Sequence, residues 1–163
     1  MLLLTLTENR GIKMSETLSS LFQKSRGLPI EMNGRLVQPI FQTRIEGKRQ
    51  DFLIRRLNAT NSPVPGLRIK AVKGEIEVNG QRYPEVILWA DTSPESVVIS
   101  VFSRAGCELK AWNVWRSDDV VQAWVGNAGL LLSKIGKVIK LECSDGVGEA
   151  DFSNLVIQIE QCD

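Results

Sequence analysis

From about residue 36 onward the chain is a succession of short runs in which apolar and polar residues alternate, divided by turn-forming residues. A period of two is the repeat of a strand, whose successive side chains point to opposite faces. The runs are 36–45, 51–57, 67–72, 75–78, 86–90, 97–102, 109–116, 120–125, 130–132, 138–143 and 152–159. Asn79-Gly80 between two of them is a strong hairpin turn, because both residues accept positive φ. Gly47-Lys48, Ser117-Asp118-Asp119 and Ser144-Asp145-Gly146 supply further turns. The stretch 61–66, Asn-Ser-Pro-Val-Pro-Gly, is short and reads as a crossing between two sheets. Roughly ten strands with little helix place the chain among β-sandwiches or barrels.

One short helix is predicted over 15–24. Ser15 is its N-cap, Glu16 lies in the first turn, and Leu18, Leu21 and Phe22 share a face. Gly27 and Pro29 end it. Met14 begins a better helix start than Met1, so residues 1–13 read as a loose extension and 14–163 as a single domain. The opening Met1-Leu2-Leu3-Leu4 is too short for a signal-peptide core, and no run approaches the ~20 apolar residues of a membrane helix.

At 163 residues, 43% hydrophobic and 24% charged, the chain can build a core without staples, and it is neither collagen, coiled coil nor disulfide scaffold. It contains no histidine. That removes the Ser-His and Cys-His nucleophile pairs, the histidine base and every histidine metal ligand. The three cysteines, Cys107, Cys143 and Cys162, form no CxxC motif. Cys143 lies in an apolar strand pattern and reads as a buried thiol, which fits a reducing cytoplasm. Neither a GxxxxGK[ST] nor a GxGxxG pattern occurs, so a nucleotide enzyme is not expected.

The net charge of +1 hides an asymmetry. Residues 1–82 carry 14 Lys and Arg against 7 Asp and Glu, and residues 83–163 carry 6 against 12. Two explanations stand. Strands from both halves interleave and the charges mix, or the charges are functional: the basic half meets an anionic partner, nucleic acid or acidic protein, or the oppositely charged halves pair between subunits. Arg44, Lys48, Arg49, Arg55 and Arg56 surround one turn, with Arg68, Lys70 and Lys73 beyond.

The densest constellation is aromatic. Three of the four Trp residues, Trp112, Trp115 and Trp124, lie within thirteen positions. Alternation puts Trp112, Val114 and Arg116 on one strand face and Asn113 and Trp115 on the other. A turn at 117–119 brings Trp124 back beside one of the first pair. Indole faces flanked by Asn113, Arg116, Gln122 and Asn127 suit a glycan or aromatic ligand: stacking from the ring, hydrogen bonds from the amides. Plugging of the core by all three rings is the competing reading.

Asp145, Glu149 and Asp151 with two glycines could wrap a hard cation, but the spacing is not that of the helical calcium loop, and an acidic turn accounts for it. A carboxylate pair for glycoside hydrolysis would come from Asp91, Glu95, Asp118, Asp119, Asp145, Glu149 or Asp151, with no two singled out.

The closing segment runs Gly136-Lys137-Val138-Ile139-Lys140-Leu141, then Asp145-Gly146, then Asp151-Phe152-Ser153-Asn154-Leu155-Val156-Ile157. It resembles the last two strands of concanavalin-like and jelly-roll sugar-binding sandwiches, and Trp112-Asn113 is similar to a strand those families place upstream. The resemblance covers the last third of the chain and implies a single antiparallel β-sandwich of jelly-roll or concanavalin-like type. No catalytic residue carries over. The expectation is a cytoplasmic, non-catalytic sandwich without metal or cofactor, binding a glycan-like or small-molecule ligand, or a protein partner, through 112–127. Nucleic acid and membrane are not the expected partners.

Overall fold

The computed structural model describes residues 16–163, so the 1–13 extension and Ser15 lie outside it. The described residues form one helix, α1 (Leu18–Ser25), and fourteen strands. These are β1 (Ile30–Met32), β2 (Arg35–Gln38), β3 (Phe41–Ile45), β4 (Arg49–Ala59), β5 (Val64–Val72), β6 (Glu75–Val78) and β7 (Gln81–Tyr83). They continue with β8 (Glu85–Trp89), β9 (Ser96–Phe102), β10 (Cys107–Ser117), β11 (Val120–Gln122), β12 (Gly129–Ile135), β13 (Val138–Ser144) and β14 (Leu155–Cys162). Every pairing is antiparallel.

A nine-stranded sheet has the order β1-β2-β12-β13-β14-β4-β9-β6-β7. A five-stranded sheet has the order β11-β10-β5-β8, with β3 added beside β10. Inward side chains of both sheets build one core. Phe52, Ile54, Ile99, Val101, Leu141, Leu155, Ile157 and Ile159 come from the large sheet, and Phe41, Leu67, Ile69, Leu109 and Ala111 from the small one. Each alternates with residues facing outward, which is how two sheets close on a shared interior.

Several boundaries depart from the pattern in the sequence, and β1 and β7 lie outside its runs. Run 36–45 is two strands in different sheets, because Pro39 offers no N–H to a ladder and the chain crosses at Pro39-Ile40. The stretch 61–66 crosses between sheets as expected, but its last three residues already belong to β5. Helix α1 is capped by Thr17, whose Oγ1 accepts from Ser20 N at 3.1 Å, the cap-to-third-residue spacing. Glu16 precedes that cap and pairs with Lys24 at 3.1 Å. The helix ends on Arg26 in the left-handed region (φ 56°), followed by Gly27 (φ 83°).

Leu18 packs with Val37 and Leu131 in a second, smaller cluster that also takes Phe22, Met32 and Phe152. Leu130 points into the main core and its neighbour Leu131 into this one, so α1 covers the back of the β2–β12 end of the large sheet. Gly129 is required there: a Cβ would lie 2.8 Å from Val37. Cys143 and Cys107 are buried, with burial pushing both thiols up, while Cys162 is half-buried at the end of β14.

Strands of both halves stand in both sheets: β4 lies between β14 and β9, and β5 between β10 and β8. Arg35–Glu142 at 3.0 Å and Arg68–Glu85 at 2.8 Å are ion pairs from one half to the other. No helix among the described residues is long and apolar enough to cross a membrane.

Candidate functional site

Strand β10 carries the first two tryptophans, and its register decides their surroundings. Asn113 and Trp115 face inward with Leu109 and Ala111. Asn113 Nδ2 donates to Ser144 O at 2.8 Å across the interior. Trp115 is 2% exposed, and its ring lies 2.6 Å from where a Cβ on residue 146 would stand, so Gly146 makes room for it. These two side chains are structural. Trp112, Val114 and Arg116 lie on the opposite face of the strand, where Trp112 and Val114 are covered by neighbouring side chains and buried. In the row Val114–Gly66–Trp89, the Trp89 ring covers Gly66, where a Cβ would be 2.7 Å from it. Arg116 lies over Trp89 at 4.6 Å and pairs with Asp91.

The turn at 117–119 returns the chain as expected, but β11 lasts only three residues. Trp124 falls beyond it, off the ladder, with φ 58°. For a bulky residue that is a rare, costly conformation, held only when the surroundings fix it. Here several contacts do. The indole stacks on Trp112 with centroids 4.8 Å apart and planes at 27°, and Nε1 donates to Pro39 O at 3.0 Å. Gly126, at φ 59°, lies so close to the backbone of Gly146 that neither admits a Cβ. Asn127 Oδ1 accepts from Leu18 N at 3.1 Å and its Nδ2 donates to Gly148 O at 2.8 Å, while Ser19 N donates to Gly126 O at 2.9 Å. Asn127 is thereby a clamp between α1, the tryptophan loop and the 145–151 turn.

Trp124 remains 47% exposed, whereas Trp112 beneath it is 8% exposed and has Arg68 over its ring at 5.9 Å. Trp124 forms one wall of a cavity of about 420 Å³ whose other walls are Phe22 of α1 and the Pro39-Ile40 crossing. Ser19, Gln23 and Arg26 bring a hydroxyl, an amide and a guanidinium to the same cavity. Ser19 and Gln23 stand one turn apart on α1, and Arg26 follows as its left-handed C-cap residue. The polar partners named from the sequence are placed elsewhere: Asn113 inside, Arg116 on Trp89, Gln122 half-buried on β11, and Asn127 in its clamp. The meeting of Ser19, Gln23 and Arg26 with Trp124 is not legible in the sequence, since the two segments are about a hundred residues apart.

Other candidates resolve into separate features. In the 145–151 turn, Asp145 Oδ1 accepts from Val147 N at 2.9 Å, and Asp151 Oδ1 accepts from Ser153 N and Oγ. Burial pushes the Asp145 carboxyl up, partly offset by the Val147 bond, and the Ser153 hydroxyl and N–H hold that of Asp151 down. Among the described residues, no three His, Cys, Asp or Glu side chains are grouped to hold a metal ion. Of the carboxylates considered for glycoside chemistry, Asp91 and Glu95 line one cavity of about 350 Å³ with Arg56 and Asn58. Among the basic residues, Arg68 is taken up by Glu85, whose carboxyl it holds down, and Arg56 Nη1 donates to Ser93 O at 3.3 Å. Arg55 and Lys70 are exposed on their strands, and Arg44, Lys48, Arg49 and Lys73 gather at one end of the two sheets. In comparisons with known proteins, no family model, curated protein or solved structure matches this chain.

Proposed function

We propose that the chain is a non-catalytic β-sandwich binding module of jelly-roll or concanavalin-like type, and that its ligand is glycan-like and lies on Trp124 in the cavity against α1. The observation that carries this reading is Trp124 itself: a large ring, half exposed, in a left-handed backbone conformation that four neighbouring segments enforce. Strain of this kind persists where a side chain must be presented in a fixed attitude. A sugar ring offers an apolar face to an indole and hydroxyls to its rim. Ser19, Gln23 and Arg26 are the donors and acceptors such hydroxyls need. The similarity of 136–157 to sugar-binding sandwiches points the same way.

The test uses Trp124→Ala and Trp115→Ala. Titration of the full chain with neutral oligosaccharides such as cellohexaose and maltohexaose should shift the tryptophan emission saturably for at least one of them. Trp124→Ala should abolish the shift and lower stability by only about 1–2 kcal/mol, the stack on Trp112 and part of a ring's burial. Trp115→Ala should cost roughly 3–5 kcal/mol, the penalty for deleting a buried Trp. The reading fails if iodide leaves the emission of Trp124 unquenched, or if no oligosaccharide produces a shift.

A further inference from the structure

At the end of the two sheets where the β3–β4, β5–β6 and β9–β10 turns meet, the surface carries an open cavity of about 760 Å³. Four cations line it, Lys48, Lys73, Arg82 and Arg104, each from a different turn or strand, against the single carboxylate of Glu75. We infer that this cavity is an anion site for a compact polyphosphate group, a diphosphate or phosphate ester of a small ligand, independent of the Trp124 site.

Three features of the cavity point to an anion. First, among the described residues Lys48, Lys73 and Arg104 have no carboxylate within 4.0 Å. Nearby cations do find partners: Arg49 with Asp51 at 3.0 Å, Arg44 with Glu46 at 3.6 Å. Like charges left together repel one another, a cost that a bound anion removes. Second, the walls are fixed. Ser103 N donates to Lys48 O at 3.0 Å and Gly106 N to Ser103 Oγ at 2.9 Å, so the two lysine- and arginine-bearing turns are bonded together. Lys73 is held at φ 66°, and Gly74 sits where a Cβ would be 2.7 Å from Phe102 O and 2.8 Å from Cys107 Sγ. Arg82 lies on the ring of Phe102 at 3.8 Å, with its Nε bonded to Glu77 at 3.1 Å, which aims a planar guanidinium of the kind that matches phosphate. Third, four cations stand against Glu75 and against Glu77, which pairs with Arg82, and the remaining net +2 fits a diphosphate ester, whereas Glu46 and Asp51 around it interrupt any longer cationic track. An extended nucleic-acid strand needs such a track.

Sodium pyrophosphate titrated calorimetrically into the full chain at low ionic strength should bind saturably, with an affinity that falls as salt is added. Lys48→Gln with Lys73→Asn, the asparagine chosen because it tolerates the left-handed backbone, should weaken binding at least ~tenfold, two charge-assisted contacts being lost. The charge-matched pair Lys134→Gln with Lys140→Gln, on the β12–β13 hairpin, should leave it unchanged. Should the first pair lose cooperative unfolding, Arg104→Gln, at an exposed turn position, gives the same comparison. The inference is overturned if pyrophosphate does not saturate, if the control pair weakens binding as much, or if an oligothymidylate or sulfate binds as tightly as pyrophosphate.

Discussion

Trp124 concentrates the physical tension of the candidate site in one residue. Its ring is stabilised by Trp112 below and Pro39 O beside it, while its backbone at φ 58° works against any L side chain. A left-handed residue other than glycine costs roughly 1–2 kcal/mol, of which glycine's extra freedom in the unfolded chain offsets ~0.4–1 kcal/mol. Trp124→Gly should therefore be more stable than Trp124→Ala by up to about 1 kcal/mol, although it removes one atom more. Denaturant unfolding of the two variants side by side reads the difference. Alanine proving the better substitute would mean that the loop relaxes out of the left-handed conformation once the ring is gone, and that the ring rather than the clamps holds it there.

At the scale of elements, the site exists because α1 and the tryptophan loop are bonded to one another. Asn127 makes both of its bonds between elements, to Leu18 N and Gly148 O, with each bond of this kind worth about 0.5–1.5 kcal/mol. Asn127→Ala should lower stability by about 1–2 kcal/mol on that basis and, more tellingly, raise the iodide quenching of Trp124 without unfolding the sheets. Unchanged quenching would show that Gly126 and Gly146 alone fix the loop. The same contacts explain what could be read in advance. Alternation marked most of the strands, and Asn79-Gly80 one hairpin, because these signals are local. Within β10, the same alternation separated Trp112 and Arg116 from Asn113 and Trp115. The helix is capped by Thr17 rather than Ser15: both are cap-type residues, and it is Thr17 whose hydroxyl accepts from Ser20 N. Pro39 inside an otherwise continuous run marked a break that the alternation concealed. The cavity partners of Trp124 could not be found from the hairpin, because Ser19, Gln23 and Arg26 reach it through tertiary packing of a helix that precedes it by about a hundred residues.

For the molecule as a whole, the opposed charges of the two halves and the sheet order describe one arrangement. Residues 1–82 carry a net +7 and residues 83–163 a net −6, yet neither half owns a sheet. β4 finds its neighbours in β14 and β9, and β5 in β10 and β8, all of them from the acidic half. The basic half alone would leave β4 and β5 without their lateral neighbours, and the acidic half alone would lack the strands that join β14 to β9 and β10 to β8, so neither half closes its sheets. Fragments 1–83 and 84–163, divided between the exposed Tyr83 and Pro84, keep the same net charges because Tyr83 is neutral. Neither fragment by itself should show a cooperative unfolding transition. Mixed at low ionic strength, they should regain one, since opposite net charge speeds encounter and the interleaved pairings then bury the shared core. Added salt should slow the association while leaving the core contacts of the assembled pair in place. Near-ultraviolet circular dichroism, which reports fixed packing around the tryptophans, follows the assembly. A native-like spectrum from either fragment alone would show that one half carries a self-sufficient core, against the interleaved sheet order; a salt-independent rate would show that the charge asymmetry plays no part in bringing the halves together.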